Sequence, residues 1–312
     1  MSEEQPSSQK KLPLKPGTLW TSITKQTEYA ISSGALQSIA TEYEFVEQDG
    51  IRFLVRILSN LDRKEKAKQE QYKKSVTSGK EFNPFLPYEE DLFVTDISDT
   101  HLCLLNKFNV VPHHLLIITR AFEEQENWIT LADFEAMWAC LREIDGLVFY
   151  NAGKIAGASQ RHKHLQLVPF PFTPEGNNLP IETAIASAQF QSDIGIIPSF
   201  PFRHAIAKLD SSGAKYPLEA AKTTLDSYFN LLTQVGLQVE GNSQSGAYNL
   251  LATREWMLIV PRSQDSFSSI AVNSLGFAGA LLVRNEQQMS ILKEYTPMTI
   301  LNNVAYDTNN NK

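Results

Sequence analysis

Apolar and polar positions follow two rhythms along this chain, and the rhythm assigns most of its elements. Leu19, Ile23 and the Ala30–Ile31 pair recur near one face between Gly17 and Gly34, which predicts a helix. Residues 51–58 alternate instead, with Ile51, Phe53, Val55 and Ile57 opposite Arg52 and Arg56, which predicts a strand. Another strand is expected over 92–96. The apolar runs 101–106 and 114–119, broken by Asn106 and Pro112, read as a hairpin-like pair of strands. Over 130–145, Leu131, Phe134, Trp138, Leu141 and Ile144 share a helical face. Thr130 is placed to N-cap that helix, Asp133 falls in its first turn and Gly146 lies past its end. A short buried strand is expected over 147–150. A second helix runs from about 217 to 235, with Pro217 at its start and Gly236 at its end. Strands over 248–253 and 256–260 complete the pattern.

The polar stretches fall between these elements. Residues 1–16 read as a frayed tail, 173–180 and 210–213 as loops, and 306–312 as a disordered tail. Residues 62–81 are lysine-rich and read either as a solvated segment or as a flap whose Arg63 and Lys64 reach a phosphate chain. There is one internal echo, HHLLIITR at 113–120 and EWMLIVPR at 255–262, of the kind that chance or a duplicated architecture produces.

Composition narrows the class. A chain of 312 residues, 42% hydrophobic and 20% charged, buries a sizeable core and is neither disordered nor fibrous. Its 28 Lys and Arg against 35 Asp and Glu give a net charge of −7. That argues against broad binding to nucleic acid or an anionic membrane, while leaving room for a small anion in a locally basic pocket. Cys103 and Cys140 lie in apolar runs and read as buried thiols in a reducing compartment. No apolar run reaches 18 residues and the N-terminus lacks an apolar core, so a cytoplasmic location is expected.

The chemistry concentrates in 151–169, NAGKIAGASQRHKHLQLVP. If 162–168 is a strand, His162, His164 and Gln166 line one face about 7 Å apart, and Lys163, Leu165 and Leu167 take the other. Upstream, Gly153, Gly157, Ala158, Ser159 and Gln160 allow a close backbone approach and an anion-binding nest of N–H groups. A neutral imidazole beside such a loop can attack a phosphoryl group and pass it on. Spacing alone leaves two other readings open: the exposed polar face of a strand, and a metal pair at His162 and His164. His113 and His114, after Pro112, read as turn histidines at a strand start.

The 151–169 stretch resembles the histidine-triad superfamily, with Gln166 where the third histidine of the triad would stand. H-x-H-x-Q is the pattern of its nucleotidyltransferase branch. Together with LLNKFNVVPHHLLIITRAF, NPFLPYEEDL, YNLLATREWMLIVPRS and NSLGFAGALLVRN, it is similar to the diadenosine tetraphosphate phosphorylase (ATP adenylyltransferase) family. The resemblance spans about 83–285.

The resemblance implies an α+β fold of histidine-triad type: a mixed, largely antiparallel sheet with flanking helices, open to duplication. It implies one catalytic unit over 17–305, built from intertwined halves at about 17–172 and 173–305. His164 would be the nucleophile, aided by His162, Gln166 and Ser159. Asn151, Gly157, Ala158, Ser159 and Gln160 would bind phosphates, and Gln166 an α-phosphate oxygen or a ribose hydroxyl. Asn106 and Lys107 fall at the superfamily's ribose-binding position. Asn273, Ser274, Leu275 and Arg284 match a C-terminal substrate-binding segment, and Lys64 an N-terminal substrate lysine. The implied small molecules are diadenosine tetraphosphate, ATP, ADP and inorganic phosphate, with neither nucleic acid nor membrane as a partner. No covalent cofactor is implied, and Mg²⁺ is left as an optional companion of the substrate. The rivals are an adenylyl-sulfate:phosphate adenylyltransferase, a hexose-1-phosphate uridylyltransferase, a nucleotide-binding regulatory protein without turnover, and a metalloprotein using His162 and His164.

Overall fold

Thr130 does what its position suggests. Its hydroxyl accepts from the Asp133 N–H, and the Asp133 carboxylate returns the bond to the Thr130 N–H, a capping box worth about 1 kcal/mol. That helix is one of seven in a computed structural model that describes residues 13–58, 82–176, 179–238 and 241–308; counts of elements refer to these. In chain order the elements are α1 (Leu19–Ser32), β1 (Thr41–Gln48), β2 (Ile51–Leu58), β3 (Phe93–Asp96), β4 (His101–Leu105), β5 (Leu115–Thr119), α2 (Leu131–Glu143), β6 (Gly146–Ala152) and β7 (His164–Pro169). Then come α3 (Glu182–Ala186), β8 (Gln189–Gln191), β9 (Ile194–Ile196), β10 (Ala205–Lys208), α4 (Pro217–Gln234), β11 (Tyr248–Ala252) and β12 (Trp256–Pro261). The chain closes with β13 (Ser266–Phe267), β14 (Ile270–Ala271), α5 (Ser274–Phe277), β15 (Ala280–Val283), α6 (Glu286–Tyr295) and α7 (Pro297–Val304). No helix among the described residues is long and apolar enough to cross a membrane.

Ten strands form one sheet in the order β3-β4-β5-β7-β6-β11-β12-β10-β9-β8, and every neighbouring pair is antiparallel. The order divides at the β6–β11 pair. Read outward from there, each half runs fourth, fifth, third, second and first strand of its own five, with one long helix between its third and fourth strands. The architecture is therefore duplicated, β3–β7 with β8–β12 and α2 with α4. The sequence echo misses this repeat. It pairs β5 with β12, whereas the topology pairs β5 with β10 and β7 with β12.

Helices α1, α2 and α4 pack on one face of the sheet over Val148, Tyr150, Leu165, Leu167 and Leu250. The other face carries Leu147, Phe149, Leu251, Leu258 and Val260, covered by a small sheet β1-β2-β15 and by α5 to α7. On that same face, beyond β7, a separate cluster joins Phe85, Leu102, Leu104, Leu116 and Ile118. The strip of sheet between the two clusters holds the polar residues of β7.

Local expectations shift where tertiary contacts intervene. The helix predicted to 145 stops at Glu143, because Ile144 turns extended and Gly146 already opens β6. The strict alternation predicted over 51–58 breaks at Leu54, which is buried with Phe53 and Val55 because β2 is the middle strand of its sheet. Leu14, within the tail predicted over 1–16, is buried in the core. Tyr306 and Asp307, within the tail predicted over 306–312, reach Pro261 and Phe202. Residues 1–12, 59–81 with Arg63 and Lys64, 177–178, 239–240 and 309–312 lie outside the described residues.

Candidate active site

The strand predicted over 162–168 begins at His164, with His162 held just before it by a bridge to Glu124. Register puts Ile118 opposite His164 and Leu116 opposite Gln166 on β5, and Phe149 opposite Gln166 on β6. The two side chains of β7 thus share the strip between the apolar clusters. Lys163 takes the other face, as alternation predicts. Its ammonium is 2 % exposed and lies 2.6 Å from Asp133 Oδ2 and 2.7 Å from the Trp128 carbonyl.

Hydrogen bonds fix the ring tautomers. His164 Nδ1 sits 2.7 Å from the His162 carbonyl oxygen, which can only accept, so Nδ1 carries the proton and Nε2 keeps its lone pair. The His164 backbone N–H donates to Gln125 Oε1 at 2.9 Å, while Gln125 Nε2 donates to the Asn151 and His164 carbonyls. Gln125 thereby pins β7 to β6 at His164. Burial pulls the His164 pKa down to about 4, and nearby His162 adds to the shift against the opposing bond to the His162 carbonyl. The imidazole is neutral at pH 7, as a nucleophile must be.

His162 is engaged at both nitrogens. Nε2 lies 2.8 Å from the Thr119 carbonyl, and Nδ1 accepts from Asn83 Nδ2 at 3.0 Å. The Asn83 amide is oriented because its Oδ1 accepts from the Phe85 N–H. Phe85 sets its ring edge-on to both His162 and His164, at 5.5 and 5.4 Å between centroids. Asn83-Pro84-Phe85 is thus a strap over the two histidines. The metal pair that spacing left open lacks its second ligand, since His162 has no free lone pair.

His114 is the functional residue that sequence reasoning missed. It is buried beside Gln166, with Nε2 3.0 Å from Gln166 Oε1 and Nδ1 3.2 Å from Asn106 Nδ2. Asn106 Oδ1 accepts from the Phe108 N–H, which leaves its NH₂ to face His114. The proton of His114 then sits on Nε2 and donates to Gln166, which turns the Gln166 NH₂ toward the open strip. Burial holds His114 neutral, with a pKa near 4. Period-two alternation from β5 was the available signal, since it puts His114 on the face of Leu116 and Ile118. Replacing Asn106 with leucine frees the His114 ring, and turnover is expected to fall about tenfold with little change in melting temperature. Steady-state rates beside a thermal melt check this.

The other predicted residues divide. Asn151 is 3 % exposed, and its Oδ1 takes bonds from Asn249 Nδ2, the Ser274 N–H and the Ser274 hydroxyl, at 2.9, 2.9 and 2.7 Å. That oxygen organises the site's floor. The Gly157 and Ala158 N–H groups turn inward to the Lys154 and Gly153 carbonyls, so the nest expected there is closed at those two positions. Gly157 has φ +93°, and a Cβ on it would lie 2.9 Å from Asn273 Cβ, so only glycine lets the loop lie against Asn273. Ser159 is exposed, and Ala158 and Gln160 are half-buried at the rim. Asn273 caps α5 through the Leu275 N–H, while Leu275 packs on the neighbouring core. Lys107 pairs with Glu89 at the surface, and Arg284 is exposed just beyond β15, its N–H on Gln288. Neither touches the histidines among the described residues.

A neutral histidine with its Nε2 lone pair left over, braced by backbone and sharing its strand face with an oriented glutamine, is the equipment of a nucleotidyltransferase. Comparison with known proteins gives the same class. The family profile described as Ap4A phosphorylase N-terminal domain matches residues 9–187, and that described as ATP adenylyltransferase C-terminal domain matches 198–307. The chain belongs to the Ap4A phosphorylase family. It is 27% identical over 243 residues to diadenosine 5',5'''-P1,P4-tetraphosphate phosphorylase 2 of Saccharomyces cerevisiae, covering 68% of this chain and 72% of the relative. It is 30% identical over 220 residues to the protein APA1 of the same yeast, covering 61% and 64%. Its fold matches the crystal structure of yeast Ap4A phosphorylase Apa2 with a TM-score of 0.75 at 23% identity, over 96% of this chain and 98% of that one. The complex of Apa2 with Ap4A matches at 0.73 and 22%, over 94% and 99%.

Proposed function

We propose that this chain is a diadenosine tetraphosphate phosphorylase that works through an adenylylated His164. The observation that carries this reading is the free, neutral Nε2 of His164 with its Nδ1–H locked on a backbone carbonyl. Nε2 attacks the α-phosphorus, the bond from phosphorus to the bridging oxygen breaks, and ATP leaves. The phosphoramidate cation keeps its Nδ1 proton on the His162 carbonyl, so no proton has to move in this half-reaction. The Gln166 amide, aimed by His114, donates to a nonbridging α-phosphate oxygen as charge builds there. An oxygen of inorganic phosphate then attacks the same phosphorus from the other side, ADP forms, and Nε2 recovers its lone pair. Polyphosphate is a good leaving group and needs no acid, which suits Gln166 in place of a titratable histidine.

Ser159, Gln160 and Asn273 at the rim hold the polyphosphate in this reading, and Mg²⁺ comes and goes with the substrate. Cys103 and Cys140, both buried and unpaired, suit a reducing cytoplasm.

Incubation of the protein with diadenosine tetraphosphate, with and without inorganic phosphate, tests the reading. ATP plus ADP should form only when phosphate is present. Two ADP, or ATP plus AMP from water alone, would defeat it. Adenylyl sulfate offered in the same assay separates the nearest rival.

A further inference from the structure

Arg262, just past β12, is 1 % exposed, and among the described residues its guanidinium forms no ion pair, the exposed carboxylate of Asp265 acting on it only from a distance. Every hydrogen-bond acceptor of its guanidinium among the described residues is a neutral oxygen, and the face of the Phe277 ring lies 5.5 Å from it. Nε donates to the Val304 carbonyl (3.0 Å) and Nη2 to the Gln264 carbonyl (2.8 Å). Nη1 meets Asn249 Oδ1 (2.5 Å), the Val272 carbonyl (3.0 Å) and, more loosely, the Ala156 carbonyl (3.4 Å). Burial pulls its pKa down to about 10, partly offset by exposed Asp265, so it stays a cation at pH 7. A buried charge without an ionic partner is costly and calls for a reason to be kept.

Its position supplies one. Ala156 leads into Gly157, and Val272 into Asn273, the two residues that touch where loop and α5 meet. Asn249 links Arg262 to Asn151 and Ser274. The guanidinium therefore lies directly beneath the junction that rims the polyphosphate site, walled from solvent and from its screening.

We propose that Arg262 is a positioning residue: a fixed positive charge under the Gly157–Asn273 junction that holds the substrate's polyphosphate arm without touching it. This rests on reading that rim as the polyphosphate site. The bound anion becomes a counter-ion closer to hand than the exposed Asp265 carboxylate. For a ligand charge roughly 10 Å away at an effective dielectric of about 20, Coulomb attraction changes affinity by about tenfold, and charges farther along the polyphosphate add less.

Calorimetric dissociation constants for adenosine, AMP, ADP and ATP, on the intact protein and on R262M and R262K, test it. R262M should leave adenosine within about twofold and lose affinity progressively along the series, reaching at least tenfold for ATP. R262K should restore most of that charge dependence, which a purely structural role would not do. An equal loss for all four ligands, or none, overturns the proposal. D265N, a surface change, removes the opposing charge and should tighten ATP about twofold while leaving adenosine unchanged; a flat response overturns the proposal even if R262M does not fold. Failure of the unaltered protein to bind ATP at all would count against the proposed function as well. Normal binding with an unaltered series in R262M would count against Arg262 alone.

Discussion

His164→Ala should abolish turnover, with a loss of at least about 10³-fold expected when the proposed nucleophile is removed. The same variant should carry no acid-labile AMP after incubation with diadenosine tetraphosphate, whereas the parent protein should show the adduct in intact-mass spectra. Full activity in the alanine variant would remove His164 from the reaction. The pH profile is a second reading of the same group. Burial lowers His164 to about 4, so the nucleophile stays unprotonated well below the ordinary histidine value near 6.5. Activity should therefore hold as pH falls past 6.5, rather than halving there. Stability follows the same sign. A depressed folded-state pKa favours the fold above about 6.5, and the advantage is lost as pH falls toward 4. His114, lowered to the same value, adds to the effect. Denaturant midpoints should drop between those limits.

The largest loss of stability is expected at Lys163. Its ammonium is sealed against Asp133, which also bonds His101 Nε2 at 3.0 Å and caps α2. Burial acts to raise the Asp133 pKa, yet the His101 bond and the Lys163 charge prevail and hold it near 2. Lys163→Met leaves that carboxylate buried without its cation, and removal of one partner of such a pair costs about 3–5 kcal/mol. Chemical denaturation of the variant checks this. Lys163→Met together with Asp133→Asn should recover part of the loss, because the stranded charge goes with it. A single-variant loss below about 1 kcal/mol would mean that water already reaches the cluster.

The active strand was legible because period two is a local property. His164, Gln166 and Lys163 fell on their predicted faces from spacing alone, and the helix at 131–143 announced its cap in Thr130 and Asp133. What stayed hidden depends on pairing across the sheet. Asn106 stands at the ribose position that the resemblance implies, and its amide faces His114, eight residues on, reaching Gln166 through that ring. The Asn151 side-chain oxygen accepts from Ser274, more than a hundred residues away, which leaves its NH₂ as the donor for a phosphate. Gln125 lay in a polar stretch with no periodicity, and only the β6–β7 gap it fills gives it a role. Each is a partnership that a polar side chain makes across the sheet, with another side chain or with backbone, and no spacing rule encodes it.

The two halves of the ten-stranded sheet share a topology but not a chemistry. β7 opens with His164; its counterpart β12 opens with Trp256 and ends beside Arg262. The second half carries the same scaffold with a tryptophan where the first carries the proposed nucleophile. One consequence is stoichiometric: however much nucleotide is supplied, each chain should take up a single AMP, and titration should saturate at one equivalent rather than two.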